Sequence, residues 1–306
     1  VVPIARTVVP PAAAKLIPRC TEEEMYSLLT EDLAEAARLL PDTRNAEKAR
    51  VTGIAAYTLL AKVYLTFGKH AEARTALDEA MKATGYGLES TTKRVFDINN
   101  KMNKEVIFAL YYNKTNDNGH GYWYSANTDV MADIRNPTPE FKAIYDESDN
   151  RLALIDTYTK IQSNLFAMTK WYDTYDATYT TQVGNDFPHL RYADITLMYA
   201  EALAETDLPT ALTWLNKTRI RAGLDELTSD DVKTKAEFIR ELAAERGREF
   251  ALEGHRWFDL VRLGLAVEHF RNLGYTLDAH NLIFPIPQNQ IEIVNNPSIL
   301  WQNPSF

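Results

Sequence analysis

Apolar residues along most of the chain recur with helical spacing. In residues 22–40, Met25, Leu28, Leu29, Leu33, Ala36, Leu39 and Leu40 share one face of a 3.6-residue helix. Thr21 precedes them as N-cap, Glu24 stands where a capping box needs it, and Pro41 closes the segment. Residues 236–252 repeat the pattern with Phe238, Leu242 and Phe250, beside a stripe of Glu241, Glu245, Glu249 and Glu253 at i, i+4 spacing. Two longer stretches read as helical hairpins. In residues 51–84, Ala61, Ala73 and Ala80 let two helices approach, Tyr64 and Leu77 fill the groove between them, and Gly68 ends the first helix. From Arg191 to about Ala222, Leu197, Ala200 and Leu203 carry one helix and Ala211, Leu212 and Leu215 the next, which Pro209 starts.

The first hairpin has a more specific signature. Counting from Ile54, residues Tyr57, Leu60, Ala61, Tyr64, Gly68, Ala73, Leu77 and Ala80 fall on the large and small apolar positions of a tetratricopeptide repeat. The expected fold is therefore mainly α, a tetratricopeptide-like scaffold with an irregular, partly β insertion and an irregular C-terminal tail. Its expected organisation is a single domain over 1–306. Within it lie a linker-like start (1–20), helical repeats (22–84), an aromatic-rich insertion (85–190), further helical repeats (191–268) and a tail (269–306) whose Pro285, Pro287, Pro297 and Pro304 argue against regular helix.

The insertion departs from helical periodicity. Gly, Asn, Asp and Thr punctuate short β-prone pieces such as Val106 to Tyr112, and only Pro139 to Tyr145 reads as a short helix. It holds 17 of the chain's 33 aromatic residues in about a third of its length, more than a connection needs.

Composition narrows the function. With 306 residues, 45% hydrophobic, the chain can bury a large core. A mean hydropathy of −0.32 and the absence of any apolar run near the roughly 20 residues of a membrane helix argue against a bilayer-spanning helix. The net charge of −9 argues against nucleic acid as main partner. The lone Cys20 excludes an internal disulfide framework and a cysteine-rich zinc module, and its context, Ile17, Pro18 and Arg19, is not that of a lipidation site. The six histidines never take a metal-binding spacing, the clusters at 116–119 and 146–150 read as turns, and no phosphate-binding or nucleophile motif is present. No cofactor and no metal is expected. The glutamate stripe suggests paired acid/base carboxylates, but the interleaved Arg240, Arg246 and Arg248, with Arg191, Arg219, Arg221 and Arg256 available, make a charge-paired scaffold the simpler reading.

The candidate ligand site lies in the insertion. Tyr122, Trp123 and Tyr124 are consecutive in a loop bounded by Gly and Asn, and three consecutive aromatics cannot all face one side of an extended segment. An outward ring offers a face for the apolar side of a pyranose, with Asn127, Asp129 and Arg135 as candidate hydrogen-bonding partners for hydroxyls. A second cluster, Trp171 and Tyr172 with Tyr175 and Tyr179, reads equally as site, helix face or core, whereas Trp214, Trp257 and Trp301 read as packing residues.

Several ordered strings make the chain similar to the SusD/RagB family. They are HLRYADITLMYAEALAE, LNKTRIRAGL, EFIRELAAERGREFALEGHRWFDLVRLG, FPIPQNQI and the closing QNPSF, with VVPIA, EDLAEAARLLP, AAYTLLAKVYLTFGKHAEA and NKEVIFAL upstream. The resemblance covers nearly the whole chain. It implies a non-catalytic, glycan-binding protein on the extracellular face of the outer membrane, held by a lipid anchor outside this chain, which caps a SusC-like TonB-dependent transporter. Family members carry a longer N-terminal portion, so the face of Met25, Leu28, Leu29, Leu33 and Leu39 is expected to pack on a helix outside this numbering, or else to be exposed. The rival functions are a protein-interaction scaffold and a glycan-cleaving enzyme.

Overall fold

Thr21 and Glu24 exchange the two hydrogen bonds of a capping box, Thr21 N–H to Glu24 Oε2 at 2.7 Å and Glu24 N–H to Thr21 Oγ1 at 3.1 Å, and a helix starts there as its sequence predicts. A computed structural model of the chain describes residues 2–41, 50–112, 137–156, 158–162, 165–171 and 184–306. Helices α1 (Pro11–Ala14) and α2 (Glu22–Leu39) precede the hairpin of α3 (Gly53–Thr66) and α4 (His70–Ala80). A single turn, α5 (Thr92–Val95), leads to strand β1 (Val106–Leu110). Then come α6 (Pro139–Lys142), α7 (Leu152–Asp156) and strands β2 (Tyr158–Gln162), β3 (Leu165–Met168) and β4 (Phe187–Arg191). The second hairpin is α8 (Tyr192–Leu203) and α9 (Leu208–Arg221), followed by α10 (Lys235–Glu249), α11 (Arg256–Arg262), α12 (Ala266–Asn272) and α13 (Gln288–Val294). The fold is mainly α, as expected. Contacts divide the chain into two compact units, Leu33–Arg256 and Val1–Asp32 with Trp257–Phe306.

In the larger unit, α8 is the central helix and packs on α3, α4 and α10 as well as on its hairpin partner α9. Every residue from Ala193 to Leu203 is buried, as a helix with apolar residues all round requires. The alanines that were expected to permit close approach, Ala61, Ala73 and Ala80, have no exposed surface, and Leu77 between them has none either. Gly68 ends α3 at φ 68°, a left-handed conformation that glycine adopts without steric cost. Pro209 lies in the first turn of α9, behind an Asp207 carboxylate that accepts from Thr210 N–H. Thr234 and Glu237 form a capping box at the start of α10.

The insertion is closed at its base by an antiparallel ladder of β1 with β4, in which Val106 faces Arg191 and Leu110 faces Phe187. A second antiparallel pair, β2 with β3, lies inside it. α10 ends three residues earlier than the sequence suggests. Leu252 turns at φ 64°, a region that a branched side chain rarely occupies, and takes Glu253 out of the helix.

In the smaller unit, the start of the chain is more than a linker. Pro3 bridges to Arg19, whose guanidinium donates to Trp301 O at 3.0 Å and Asn303 Oδ1 at 2.8 Å. The closing QNPSF motif holds the FPIP motif through side-chain amides. Gln302 accepts from Ile286 N–H at 2.7 Å and donates to Ile286 O at 2.9 Å, while Asn303 donates to Phe284 O at 2.7 Å. The tail also contains α13, contrary to expectation. Pro287 stands just ahead of the first turn, where its missing N–H costs nothing, and Asn295 ends the helix in the left-handed region. On α2, Met25, Leu28, Leu29 and Leu33 are half-buried and Leu39 is 64% exposed.

Candidate functional site

The glutamate stripe and the insertion meet in one buried ionic network. Arg151, between α6 and α7, donates to Asp149, to Glu245 Oε1 at 2.7 Å and to Glu249 Oε2 at 3.0 Å. Arg191, at the end of β4, reaches Glu105 at 2.8 Å, Glu249 at 2.5 Å and Glu253 at 2.7 Å. Arg221 of α9 also bridges Glu105 and Glu249. Lys170 donates to Glu253 Oε1 at 2.8 Å and to Ala251 O at 2.6 Å, so the left-handed turn at Leu252 presents both acceptors to one ammonium. All of these side chains are buried, and the charges persist because each is paired.

Electrostatics follow from the pairing. Burial by itself raises the Glu249 carboxyl, but Arg221, Arg191 and Arg151 outweigh it and hold the group well below the usual carboxylate range. Burial against Arg151 likewise leaves Glu245 lowered, and burial against Arg191 and Lys170 leaves Glu253 lowered. These carboxylates stay ionised and engaged. A glycosidase needs one carboxylic acid raised enough to donate a proton, and none of the three has that environment. Glu241 is half-exposed and Arg219 and Arg256 bind the carbonyls of Asp225 and Ala243, so the network uses part of the expected set and adds Glu105, Asp149, Arg151 and Lys170.

The same network anchors the insertion. Glu105, Arg151 and Lys170 of the insertion, with Arg191 at its end, hold Arg221 of α9, Glu245 and Glu249 of α10, and Glu253 just beyond α10. Lys170 also lies 4.4 Å from the centre of the Phe96 ring, and Arg191 lies 4.3 Å from that of Phe250. Beside them, Trp171 has no exposed surface. Phe96 meets it edge-on at 5.1 Å and Phe187 stacks on it at 5.6 Å. The expectation that Trp171 presents a face to a ligand is therefore corrected. Its indole fills the space beneath β4 and no sugar ring reaches it.

At the open end of the β1–β4 ladder, the Lys101 ammonium donates to the carbonyls of Tyr112 and Gly184, the latter at 2.8 Å, and pairs with Asp186 at 2.8 Å. Asp186 accepts from Tyr112 N–H at 3.0 Å, and the Tyr111 ring, 47% exposed, lies 4.1 Å from the same ammonium. A cleft beside Lys101, lined by Phe96, Met102 and Pro188 among others, encloses about 20 Å³, room for about one water and too little for a sugar ring. Of the other expected site residues, Tyr122, Trp123, Tyr124, Asn127, Asp129, Arg135 and Tyr172 lie outside the described residues. Among the described residues no group of three or more His, Cys, Asp or Glu side chains is placed to hold a metal.

Trp214 and Trp257 pack as expected, against Tyr199 at 4.5 Å and Phe270 at 5.8 Å, whereas Trp301 is 43% exposed and lies under the Arg19 guanidinium at 4.9 Å. Sequence reasoning missed Arg151 and Lys170 as partners of the glutamate stripe, because Glu245 and Glu253 lie 94 and 83 residues away from them.

Comparison with known proteins agrees with this architecture. The chain is 27% identical to SusD-like protein P2 of Formosa agariphila over 95% of its own length, and it spans 66%, just under two thirds, of that relative. A SusD-like protein from Bacteroides fragilis superposes with a TM-score of 0.77 at 23% identity, covering the whole of this chain and 75% of that one. Surface glycan-binding protein A from Bacteroides thetaiotaomicron, solved in complex with laminarihexaose, superposes at 0.73 with 19% identity over 94% of this chain and 72% of its own. The model of the SusD family matches residues 145–306, which include the carboxylates of α10, the network cations Arg151, Lys170, Arg191 and Arg221, and the closing motifs; the chain belongs to the SusD family.

Proposed function

We propose that the protein is a non-catalytic cell-surface binder that captures oligosaccharide or polysaccharide for import. Membership of the SusD family carries this reading. Two further observations support it. The one relative named above with a bound ligand holds laminarihexaose, and Glu245, Glu249 and Glu253 of this chain are each paired with arginine or lysine. The stacking residues of the reading are Tyr122, Trp123 and Tyr124, with Asn127, Asp129 and Arg135 as hydroxyl partners and Tyr172 as an outlying contact. The reading includes the outer face of the outer membrane as location, a lipid anchor outside these residues, and a SusC-like TonB-dependent barrel as partner. Among the described residues no helix is long and apolar enough to cross a membrane.

One aromatic platform is worth on the order of 1 kcal/mol, so a few such contacts give micromolar to millimolar affinity unless the glycan is multivalent. Calorimetric titration of a glycan panel that includes laminarihexaose tests the reading. Binding in that range, lost in Trp123→Ala with thermal stability intact, supports the assignment. Unchanged affinity with a melting point lowered by several degrees makes Trp123 a core residue and removes the site. Co-purification from native membranes tests the partner, and a preparation with no barrel protein counts against it.

A further inference from the structure

We propose that Lys101 is a positioning residue that holds the neck of the aromatic-rich insertion closed, and so sets ligand affinity without touching ligand. The last main-chain pair of the β1–β4 ladder is Leu110 with Phe187. Beyond that pair, the side chain of Lys101 joins the chain on either side. An ammonium has three N–H donors, and here three acceptors meet it: Tyr112 O from one strand, Gly184 O from the other and the Asp186 carboxylate. Asp186 returns a bond across the neck by accepting from Tyr112 N–H at 3.0 Å, and the Tyr111 ring covers the ammonium at 4.1 Å. The side chains of Lys101 and Asp186 are 21% and 10% exposed, so solvent competes weakly for these bonds. Lys101 belongs to neither strand. It follows the turn Ile98–Asn100 ahead of β1, so the clasp ties both edges of the neck to a third piece of chain.

The buried network fixes the insertion to the helices at Arg151, Lys170 and Arg191, whereas the clasp fixes the distance between the two points where the segment 113–183 leaves and rejoins the ladder. A binding segment whose ends are held loses less conformational freedom when it takes up ligand. The effect on binding rests on the proposed glycan-binding reading, but the clasp itself does not.

The test compares wild type, Lys101→Met, Asp186→Asn and Lys101→Arg in the full chain by amide hydrogen exchange and by titration with the glycan that wild type binds best. Lys101→Met removes the charge and all three donors with little change in bulk. The expected result is at least a tenfold loss of protection at Tyr112 and at 184–187, unchanged protection in α8 and α10, and an affinity about tenfold weaker. Asp186→Asn shows a smaller loss of both, and Lys101→Arg, which can still donate to all three acceptors, restores both. Unchanged neck exchange in Lys101→Met overturns the clasp whether or not any glycan binds. An open neck with wild-type affinity overturns the positioning role. If wild type binds no glycan, the binding reading and the positioning role that rests on it both fail, and the exchange data still decide the clasp.

Discussion

Arg191, like Arg151, pairs with three buried carboxylates. It alone joins Glu105, Glu249 and Glu253, and these three carboxylates are buried. Truncating it takes one counter-charge from each of three carboxylates in a medium that does not solvate them, although Arg221, Arg151 and Lys170 remain, and breaking a buried pair of this kind costs about 3–5 kcal/mol. Arg191→Met should lower the unfolding free energy by that amount in urea denaturation, whereas breaking the exposed Arg38–Glu35 pair should leave the midpoint unmoved. Trp171→Ala should likewise cost about 3–5 kcal/mol, because it opens a void beside Phe96 and Phe187. His255 supplies a pH test. Burial lowers it to about 4, the Asp194 carboxylate opposes that shift, and Lys62 and Arg246 reinforce it. The ring stacks on Phe250 at 4.5 Å, and its Nδ1 lies 3.4 Å from the Arg246 guanidinium. The unfolded imidazole takes a proton near pH 6.5 and the folded one only near 4, so stability is complete above pH 6.5 and falls as pH drops toward 4, by up to roughly 3 kcal/mol. The buried glutamates lose their contribution at lower pH, from the ordinary carboxylate value downward, since their folded values are lowered. Between pH 7 and pH 5 the melting temperature of wild type should fall by more than that of His255→Phe; an equal fall in both would show that His255 does not titrate this way.

At the scale of elements, local chemistry was legible wherever a helix start or stop is written in neighbouring residues. Thr21 with Glu24, Pro209 and Gly68 each act where the sequence places them, because a cap needs partners only three or four residues away. Thr234→Ala should cost about 1 kcal/mol in thermal unfolding and leave neighbouring helices intact, since the hydroxyl serves one N–H at the start of α10. The tail was harder to read. Its prolines suggested that helix is excluded, yet Pro287 sits at the one place, ahead of the first turn, where proline suits a helix. The charged stripe was legible as scaffold from the arginines interleaved with it and available to it, of which Arg191, Arg221 and Arg248 do pair with it, but Arg151 and Lys170 were not, because they reach it across more than eighty residues of chain. No local pattern encodes such a pairing. Trp171 was misread for the same reason. An aromatic residue between polar ones gives no sign of whether Phe96 and Phe187 will close over it.

For the whole molecule, the helical hairpins and the insertion divide the work. α3, α4, α8, α9 and α10 form an apolar core, and the ionic network ties Glu105, Arg151, Lys170 and Arg191 of the insertion to that core. Loops held by a rigid scaffold can vary in sequence without unfolding it, which is where ligand choice is most easily built. The central claim is that this chain binds glycan and does not cut it. The most direct measurement incubates the protein with a glycan panel and follows retention on the protein and release of reducing ends together. Retention of at least one glycan with reducing ends at the level of a protein-free control is the predicted result. Reducing ends that rise in proportion to protein added, or no retention of any glycan at millimolar concentration, would contradict it.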